Sequence, residues 1–180
     1  EATKLLYDNP LALLIGMILD QQIPMEKAFS SPYVLQQRLG RDLDAHEIAA
    51  YDPVEFEAIF AQPPALHRFP RANAKRVQEA CQAIVDRYGG DAAALWTGVD
   101  SGAELLRRVS ELPGFGKQKA QIFVALLGKQ FGVRPKGWRE AAGVYGEEGA
   151  LRSVADITDA ESLAKVREYK QAMKAAARSS

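Results

Sequence analysis

The spacing of apolar residues constrains this chain more than any other feature of its sequence. Nearly every segment between turn residues repeats its apolar positions at helical intervals, and no stretch shows sustained alternation of apolar and polar residues. The segment LALLIGMILD is apolar on almost all sides and follows Asn9-Pro10, a helix-capping start. Such a helix is buried by its neighbours. The sequence therefore predicts an all-α fold of about nine or ten helices around a central buried one.

Proline and glycine residues mark the predicted helix ends. A helix opens at Pro24, and Ser30–Pro32 predicts a break within it. The segment AQPPALHRFP carries three prolines and predicts a loop. Gly89-Gly90 predicts the end of the helix that starts at Arg71. No internal repeat or low-complexity tract interrupts this pattern.

The composition excludes several classes of protein. The 180 residues are 47% hydrophobic and 26% charged, which is typical of a folded domain. No run approaches the roughly 18 apolar residues of a membrane-spanning helix. The N-terminal residues lack the pattern of a secretory signal, so we expect a cytoplasmic protein, nucleoid-associated if bacterial, with no membrane partner. The single cysteine, Cys81, excludes an internal disulfide and a cysteine-ligated iron–sulfur cluster.

Charge is distributed unevenly along the chain, although the total is zero. Residues 1–66 hold 4 basic and 10 acidic side chains, a net −6, whereas residues 67–139 hold 13 and 6, a net +7. Residues 140–180 hold 6 and 7, a net −1. A basic middle third favours a polyanionic partner, and a merely solvated surface is the alternative.

The most specific motif is helix–LPGFGKQKA–helix, at residues 102–131. Pro113 ends the first helix, and Gly114 and Gly116 permit a tight turn with positive φ and close backbone approach. Free amides at the start of the next helix suit a phosphate, to which Lys117 and Lys119 add positive charge. A plain helix–helix turn is the alternative for the glycines alone.

The chain resembles the helix–hairpin–helix DNA glycosylase superfamily, the HhH-GPD group, in this hairpin and in two further segments. PLALLIGMILDQQIPMEKAF is similar to the family's early core helix with its glutamine loop, and ALHRFPRANAKRVQEACQAI to its loop-helix with a bulky wedge residue. The resemblance covers residues 8–135, and residues 1–7 with 136–180 would form a second lobe. It implies two all-α lobes with the hairpin at one edge of a cleft between them.

The resemblance also implies which residues contact DNA. Gln22 corresponds to the glutamine that fills the gap left by an extruded base, and Phe69 to the wedge; a helix-capping amide is the alternative for Gln22. The backbone-holding set is Arg68, Arg71, Lys75, Arg76, Gly114, Gly116, Lys117, Gln118 and Lys119. Three backbone carbonyls match the positions that bind a monovalent cation (K⁺ or Na⁺): Ser110, Leu112 and Phe115. No other cofactor is implied.

The sequence departs from the family at both catalytic positions. Gln118 stands where lyase members carry the lysine that forms a Schiff base, and an amide is not such a nucleophile. The window in which the family's aspartate normally lies reads RPKGWRE, and Arg134 through Arg139 contain no carboxylate. Asp20 is the first candidate to replace it, with a helix-end hydrogen bond as the alternative role. Glu140, just past the window, is a weaker candidate. Alternatively, the protein removes only bases that are already good leaving groups, with little acid–base help.

Two further residues have alternative interpretations. Trp138 either stacks on an extruded base or anchors the glycine-rich stretch to the core. His67 either contacts phosphate or ends a loop.

These features predict a monofunctional, monomeric DNA N-glycosylase of base excision repair that acts on lesion-containing double-stranded DNA. A non-catalytic protein that binds distorted duplex DNA is the main alternative, because both signature residues are missing. A protein-interaction module with an accidental hairpin is the third, and it predicts no salt-sensitive affinity for DNA. The sequence does not indicate which lesion is recognised.

Overall fold

Helices make up the regular structure of the computed structural model, which describes residues 1–21 and 23–179. Within these residues there is no β-strand, and an isolated bridge joins Ser101 to Lys136. The α-helices are α1 (Ala2–Asp8), α2 (Pro10–Leu19), α3 (Met25–Leu39), α4 (Ala45–Ala50), α5 (Pro53–Ala61), α6 (Pro70–Tyr88), α7 (Gly102–Ser110), α8 (Lys117–Gln130), α9 (Trp138–Ala142) and α10 (Ala160–Ser179). Short 3₁₀ helices cover Ala92–Leu95, Gly143–Gly146 and Val154–Asp156. The predicted all-α class is confirmed.

The chain divides into two compact units. The first comprises Glu1–Thr97 with Leu112–Phe115 and contains α1 to α6. The second comprises Gly98–Glu111 and the chain from Gly116 onward, and contains α7 to α10. The predicted division into 8–135 and 1–7 plus 136–180 rests on the family resemblance and stays a prediction.

Helix α2 is the centre of the first unit, as the sequence predicts. Every residue from Leu11 to Leu19 is buried. The helix begins where the Asn9 side chain accepts a hydrogen bond from the Leu11 amide at 3.0 Å, with Pro10 at the first helical position. A Cβ on Gly16 would lie 2.7 Å from the Phe29 ring, so this glycine lets α3 approach closely.

The predicted break at Ser30–Pro32 is wrong. Helix α3 runs without interruption from Met25 to Leu39, with Pro32 inside it. A proline in a helix interior costs about 3 kcal/mol because it lacks an amide and crowds the preceding turn. Ala28, Pro32 and Leu35 are all buried on one face of α3, and this packing offsets the penalty. Tertiary contacts here override the local signal.

Helix α8 is the most buried element of the second unit. All residues from 123 to 128 are buried, and α7, α9 and two 3₁₀ helices pack against α8. Lys129, at its C-terminal end, forms an ion pair with Asp156, and only 13% and 3% of these side chains are exposed. The stretch 132–157 therefore contributes α9 and two 3₁₀ helices to this unit.

No single helix among the described residues has the length and apolar character to span a membrane. The bent pair α1 and α2 meets that test only when its two helices are taken together, and α2 is buried inside the protein.

Candidate nucleic-acid interface

The hairpin between α7 and α8 has one glycine in a conformation that only glycine adopts readily. Gly114 has φ +88°, in the left-handed region. Gly116 has φ −86° and ψ 179°, which is extended backbone open to any residue, so the predicted positive φ at Gly116 is wrong. Apart from the adjacent residues, no atom lies within 4 Å of a Cβ built on either glycine. The space beside Gly116 leaves its backbone accessible to a ligand.

The first turn of α8 has the features of an anion-binding helix start. No side chain caps it, since Gly116 occupies the N-cap position, and the turn contains no acidic residue. Lys117 is exposed and Lys119 is half-buried in that same turn. Cations at a helix N-terminus are repelled by the helix dipole by about 0.3–1 kcal/mol each, whereas a bound phosphate is attracted both to the dipole and to the two lysines.

Gln118, which the resemblance aligns with a lyase lysine, has a partner that the sequence does not indicate. Its Nε2 donates a hydrogen bond to the hydroxyl oxygen of Tyr145 at 2.8 Å. Tyr145 lies in the 3₁₀ helix Gly143–Gly146, which packs on α8. The two residues are 27 positions apart, so no local pattern predicts this contact.

Phe69 forms the apolar tip of a basic surface at the start of α6. It is the N-cap residue of α6 and is 44% exposed, unusual for a large apolar side chain. The Arg68 guanidinium lies over its ring, 5.4 Å from the centroid. Three further basic side chains on the first turns of α6 are exposed: Arg71, Lys75 and Arg76. The structure therefore brings together this part of the predicted DNA-binding set.

The ion pairs within this surface are long. Arg71 Nε lies 3.8 Å from Glu57, and Lys75 Nζ lies 4.0 Å from Glu79. Exposed pairs of this kind contribute little stability, about 0–1 kcal/mol. Arg71 and Lys75 therefore remain accessible to phosphates.

His67 precedes this surface and is buried, with 1% of its area exposed. Its Nε2 lies 2.8 Å from the Gln21 carbonyl oxygen. Its Nδ1 lies 2.9 Å from the Phe69 amide nitrogen and 2.9 Å from Nδ2 of Asn73. Burial lowers the pKa of His67, and the nearby cations Lys27 and Arg76 lower it further. The histidine thus joins two loops in the interior and makes no surface contact.

Asp20 ends α2 at a sharp change of direction. The residue is half-buried and has φ −76° and ψ 66°, the conformation of an inverse γ-turn. The turn is closed by the Gln21 amide, which donates to the Leu19 carbonyl at 2.7 Å. The next residue, Gln22, lies outside the described residues.

Trp138 packs inside the second unit. It is 8% exposed, and a Cβ on Gly128 would lie 2.3 Å from its ring. The Arg139 guanidinium lies 4.5 Å from the ring centroid, and that of Arg134 lies 5.8 Å away. This packing supports the anchoring alternative, and stacking on a base would first require the indole to be uncovered.

Two arginines of the 134–139 window form hydrogen bonds within the second unit. Arg134 Nε donates to the Gly128 carbonyl at 2.8 Å, and Arg139 donates to the Gly146 carbonyl at 2.7 Å. These two guanidinium groups therefore hold α9 and its neighbours in place. Glu140 is exposed on α9.

The carbonyl groups expected to bind a monovalent cation are neutral oxygen donors, which suit a hard cation. The Leu112 carbonyl accepts the Phe115 amide at 3.2 Å and retains a second lone pair. The Ser110 hydroxyl donates to the Leu106 carbonyl at 2.6 Å, and the cation is expected on the backbone carbonyl of Ser110. The donor chemistry therefore fits the predicted cation.

Cys81 has no sign of reactivity. The thiol is buried on α6, and this burial raises the pKa of Cys81 to about 12. A thiol in that range is not a nucleophile at neutral pH.

Within the described residues the fold is all-α, with a glycine hairpin, an uncapped start of α8 and a basic surface around Phe69. A family model described as HhH-GPD superfamily base excision DNA repair protein matches residues 15–177, and the chain belongs to this family. Membership implies that the protein binds DNA. A search of curated proteins found no match.

Proposed function

We propose that this protein is a monofunctional DNA N-glycosylase that removes a damaged or mispaired base from double-stranded DNA by hydrolysis, and that it acts as a monomer. The observation that carries the proposal is the exposed Phe69 at the centre of a basic surface. An apolar ring among cations suits insertion into a base stack between phosphates. Extrusion of a base leaves a gap that such a side chain can fill.

Binding to the backbone would combine two contacts. The open first turn of α8, with Lys117 and Lys119, would hold one phosphate, and Arg68, Arg71, Lys75 and Arg76 would hold the backbone beside Phe69. A monovalent cation on the carbonyls of Ser110, Leu112 and Phe115 would add positive charge at the hairpin. These contacts position the duplex and carry no sequence information.

The chemistry would be a displacement by water at C1′ of the extruded nucleotide. The C1′–N bond breaks and its electron pair leaves with the base, which takes up a proton; water adds to C1′ and loses a proton. Asp20 is the proposed carboxylate that stabilises the cationic sugar or accepts the proton from water. Gln118 cannot form a Schiff base, so the sugar–phosphate backbone stays intact.

A non-catalytic DNA-binding function is the second candidate. It is favoured by the window around Arg134 and Arg139, which has no carboxylate and whose guanidinium groups hold carbonyls of the second unit. In that case the protein would bind distorted duplex DNA without cleaving it.

The test is a base-release assay on labelled duplexes that carry uracil, hypoxanthine, an alkylated purine or oxidised guanine. Each duplex is incubated with wild-type protein, Asp20→Asn or the control Asp42→Asn, an exposed aspartate of the same unit. Strand cleavage that appears only after hot alkali, and is lost in Asp20→Asn alone, supports the proposal. Salt-dependent binding with no release from any duplex supports the non-catalytic alternative.

A second measurement tests separately whether the protein lacks lyase activity. Incubation of an active duplex with sodium borohydride is expected to trap no covalent adduct, because residue 118 is an amide. A trapped adduct would show that another lysine replaces the missing one, and the protein would then be a lyase.

A further inference from the structure

The loop before α6 contains a polar residue where an apolar one would be easier to bury. His67 is 1% exposed, whereas the next two residues, Arg68 and Phe69, are exposed. A buried imidazole is unfavourable unless its nitrogen atoms are hydrogen-bonded. Both nitrogens of His67 have partners, and the partners lie on two different segments.

The identity of those partners fixes the protonation of the ring. Nδ1 faces two N–H donors, the Phe69 amide and Nδ2 of Asn73, and must therefore accept. Nε2 faces the Gln21 carbonyl and must therefore donate. The neutral Nε2–H tautomer is compatible with all three contacts, and the single lone pair of Nδ1 is then shared between the Phe69 amide and Asn73.

Asn73 completes the arrangement around Phe69. The side chain is 0% exposed, and its Nδ2 also donates to the Phe69 carbonyl at 2.9 Å, so both backbone polar groups of Phe69 are held. Its own Oδ1 is buried without a hydrogen-bond partner. An orphaned buried oxygen is unfavourable, and turning the amide over would place that oxygen against the Phe69 carbonyl. Asn73 is therefore suited to orienting Phe69 and poorly suited to filling the core.

The two segments joined through His67 are the turn at the end of α2 and the loop that carries the proposed insertion residue, Phe69. The two ends of the bridge are the Gln21 carbonyl oxygen, 2.8 Å from Nε2, and the Phe69 amide nitrogen, 2.9 Å from Nδ1 of the same imidazole ring. Gln21 and His67 are 46 positions apart, so only the fold brings them together.

Resting on the proposed function, we infer that His67 is a positioning residue that fixes the backbone of Phe69 against the Gln21 carbonyl at the end of α2, so that Phe69 enters the duplex from a preorganised loop. Asn73 supports it by holding the backbone of Phe69. The bridge lets phosphate binding by the neighbouring cations drive insertion, because the loops do not have to be ordered on the DNA.

Two substitutions, called the half-bridge variants, each remove one of the two hydrogen bonds by which His67 joins the Gln21 carbonyl to the Phe69 amide. In His67→Gln the amide nitrogen takes the place of Nε2 and keeps the bond to Gln21, but the acceptor for the Phe69 amide is lost. In His67→Asn the amide oxygen takes the place of Nδ1 and keeps that acceptor, but it cannot reach Gln21. Val77→Ala is the matched control, since Val77 is a buried α6 residue outside the bridge whose truncation lowers stability.

The readout is the fluorescence of 2-aminopurine placed opposite an abasic-site analogue in a duplex, which reports unstacking in the bound complex. Affinity for the same duplex is measured alongside, and unfolding free energies identify the conditions at which the variants are equally folded. Both half-bridge variants are expected to shift the unstacking equilibrium by about fivefold or more, the effect of one lost hydrogen bond, with affinity changed less. Val77→Ala should unstack like wild type.

The outcomes separate this inference from the proposed function. If wild-type protein unstacks no duplex, the insertion step of the proposed function is wrong, and the inference with it. If wild type unstacks the duplex and both half-bridge variants do so equally well, only the inference is overturned. Equal losses in Val77→Ala would also overturn it, because they would show that overall stability controls insertion.

Discussion

The indole ring of Trp138 occupies the space in which a Cβ on Gly128 would lie, with Cε3 2.3 Å from that position. Gly128 lies in the last turn of α8, and within a helix alanine is normally the more stable residue by about 0.5–1 kcal/mol. Because the Trp138 ring lies so close, glycine is expected to be more stable than alanine at position 128. The glycine lets α9 approach α8 closely, and Trp138 fills the space.

Gly128→Ala is therefore expected to destabilise the protein by about 1–3 kcal/mol, the range for an overpacked core. Urea denaturation measures the change. The double variant Gly128→Ala, Trp138→Leu removes the clashing ring, and adding alanine to the Trp138→Leu background should be much less harmful. Equal effects in both backgrounds would show that the ring is not the cause.

The ion pair between Lys129 and Asp156 gives a second prediction about stability, because both side chains are almost fully buried. Asp156 also accepts a hydrogen bond from the Arg152 amide at 2.9 Å. Asp156→Asn removes the negative charge, and the asparagine side chain has a similar shape and an oxygen that can still accept this bond. The isolated Lys129 ammonium is then expected to lower the unfolding free energy by about 3–5 kcal/mol. Lys129→Met with Asp156→Asn should recover part of this loss. Strictly additive effects in the double-mutant cycle would contradict the coupling.

The buried His67 predicts a dependence of stability on pH. Burial, with Lys27 on α3 and Arg76 on α6, lowers the pKa of His67 below its ordinary value of 6.5, against the raising effect of the Gln21 and Leu19 carbonyls. Below about pH 6.5 the unfolded chain binds a proton that the folded protein does not, so stability falls as the pH falls towards the folded pKa. Above pH 6.5 this contribution is fully present.

Urea unfolding of wild type and His67→Gln between about pH 5 and pH 7.5 measures this dependence. The stability advantage of wild type should shrink as the pH falls, because the carboxylates common to both proteins cancel in the difference. An advantage that is constant across this range would mean that His67 titrates equally in the folded and unfolded chains.

The hairpin lysines predict a salt-dependent affinity for duplex DNA. Lys117→Glu with Lys119→Glu should weaken binding and reduce the slope of log affinity against log salt by about 0.9 for each lysine that contacts a phosphate. Lys170→Glu with Lys174→Glu on α10 changes the net charge equally and is the control. Equal losses in the two variants would assign the effect to overall charge.

Local sequence patterns predicted several elements and missed others for identifiable reasons. The apolar run from Leu11 to Leu19 predicted a buried helix, and Gly89, with φ +63°, ends α6 as expected. The break at Ser30–Pro32 and the positive φ at Gly116 were wrong. Proline and glycine signals state what the backbone tolerates, and packing decides among the tolerated conformations.

In the candidate site too, local sequence predicted some features, whereas others depend on contacts between residues distant in sequence. A motif of adjacent residues specified the hairpin, since Gly114, Lys117 and their spacing act within one turn. The contact between Gln118 and Tyr145, and the burial of Trp138, depend on residues distant in sequence. No local period encodes those distances.

The sequence by itself determined the all-α class, the hairpin and the basic character of the middle third, because helical periodicity, turn chemistry and charge are properties of short segments. Only the tertiary structure decided that His67 faces inward and joins the Gln21 carbonyl to the Phe69 amide across 46 positions. A lone histidine carries no local signal for its partners. Burial removes water as an alternative partner, and the fold then determines which hydrogen bonds form.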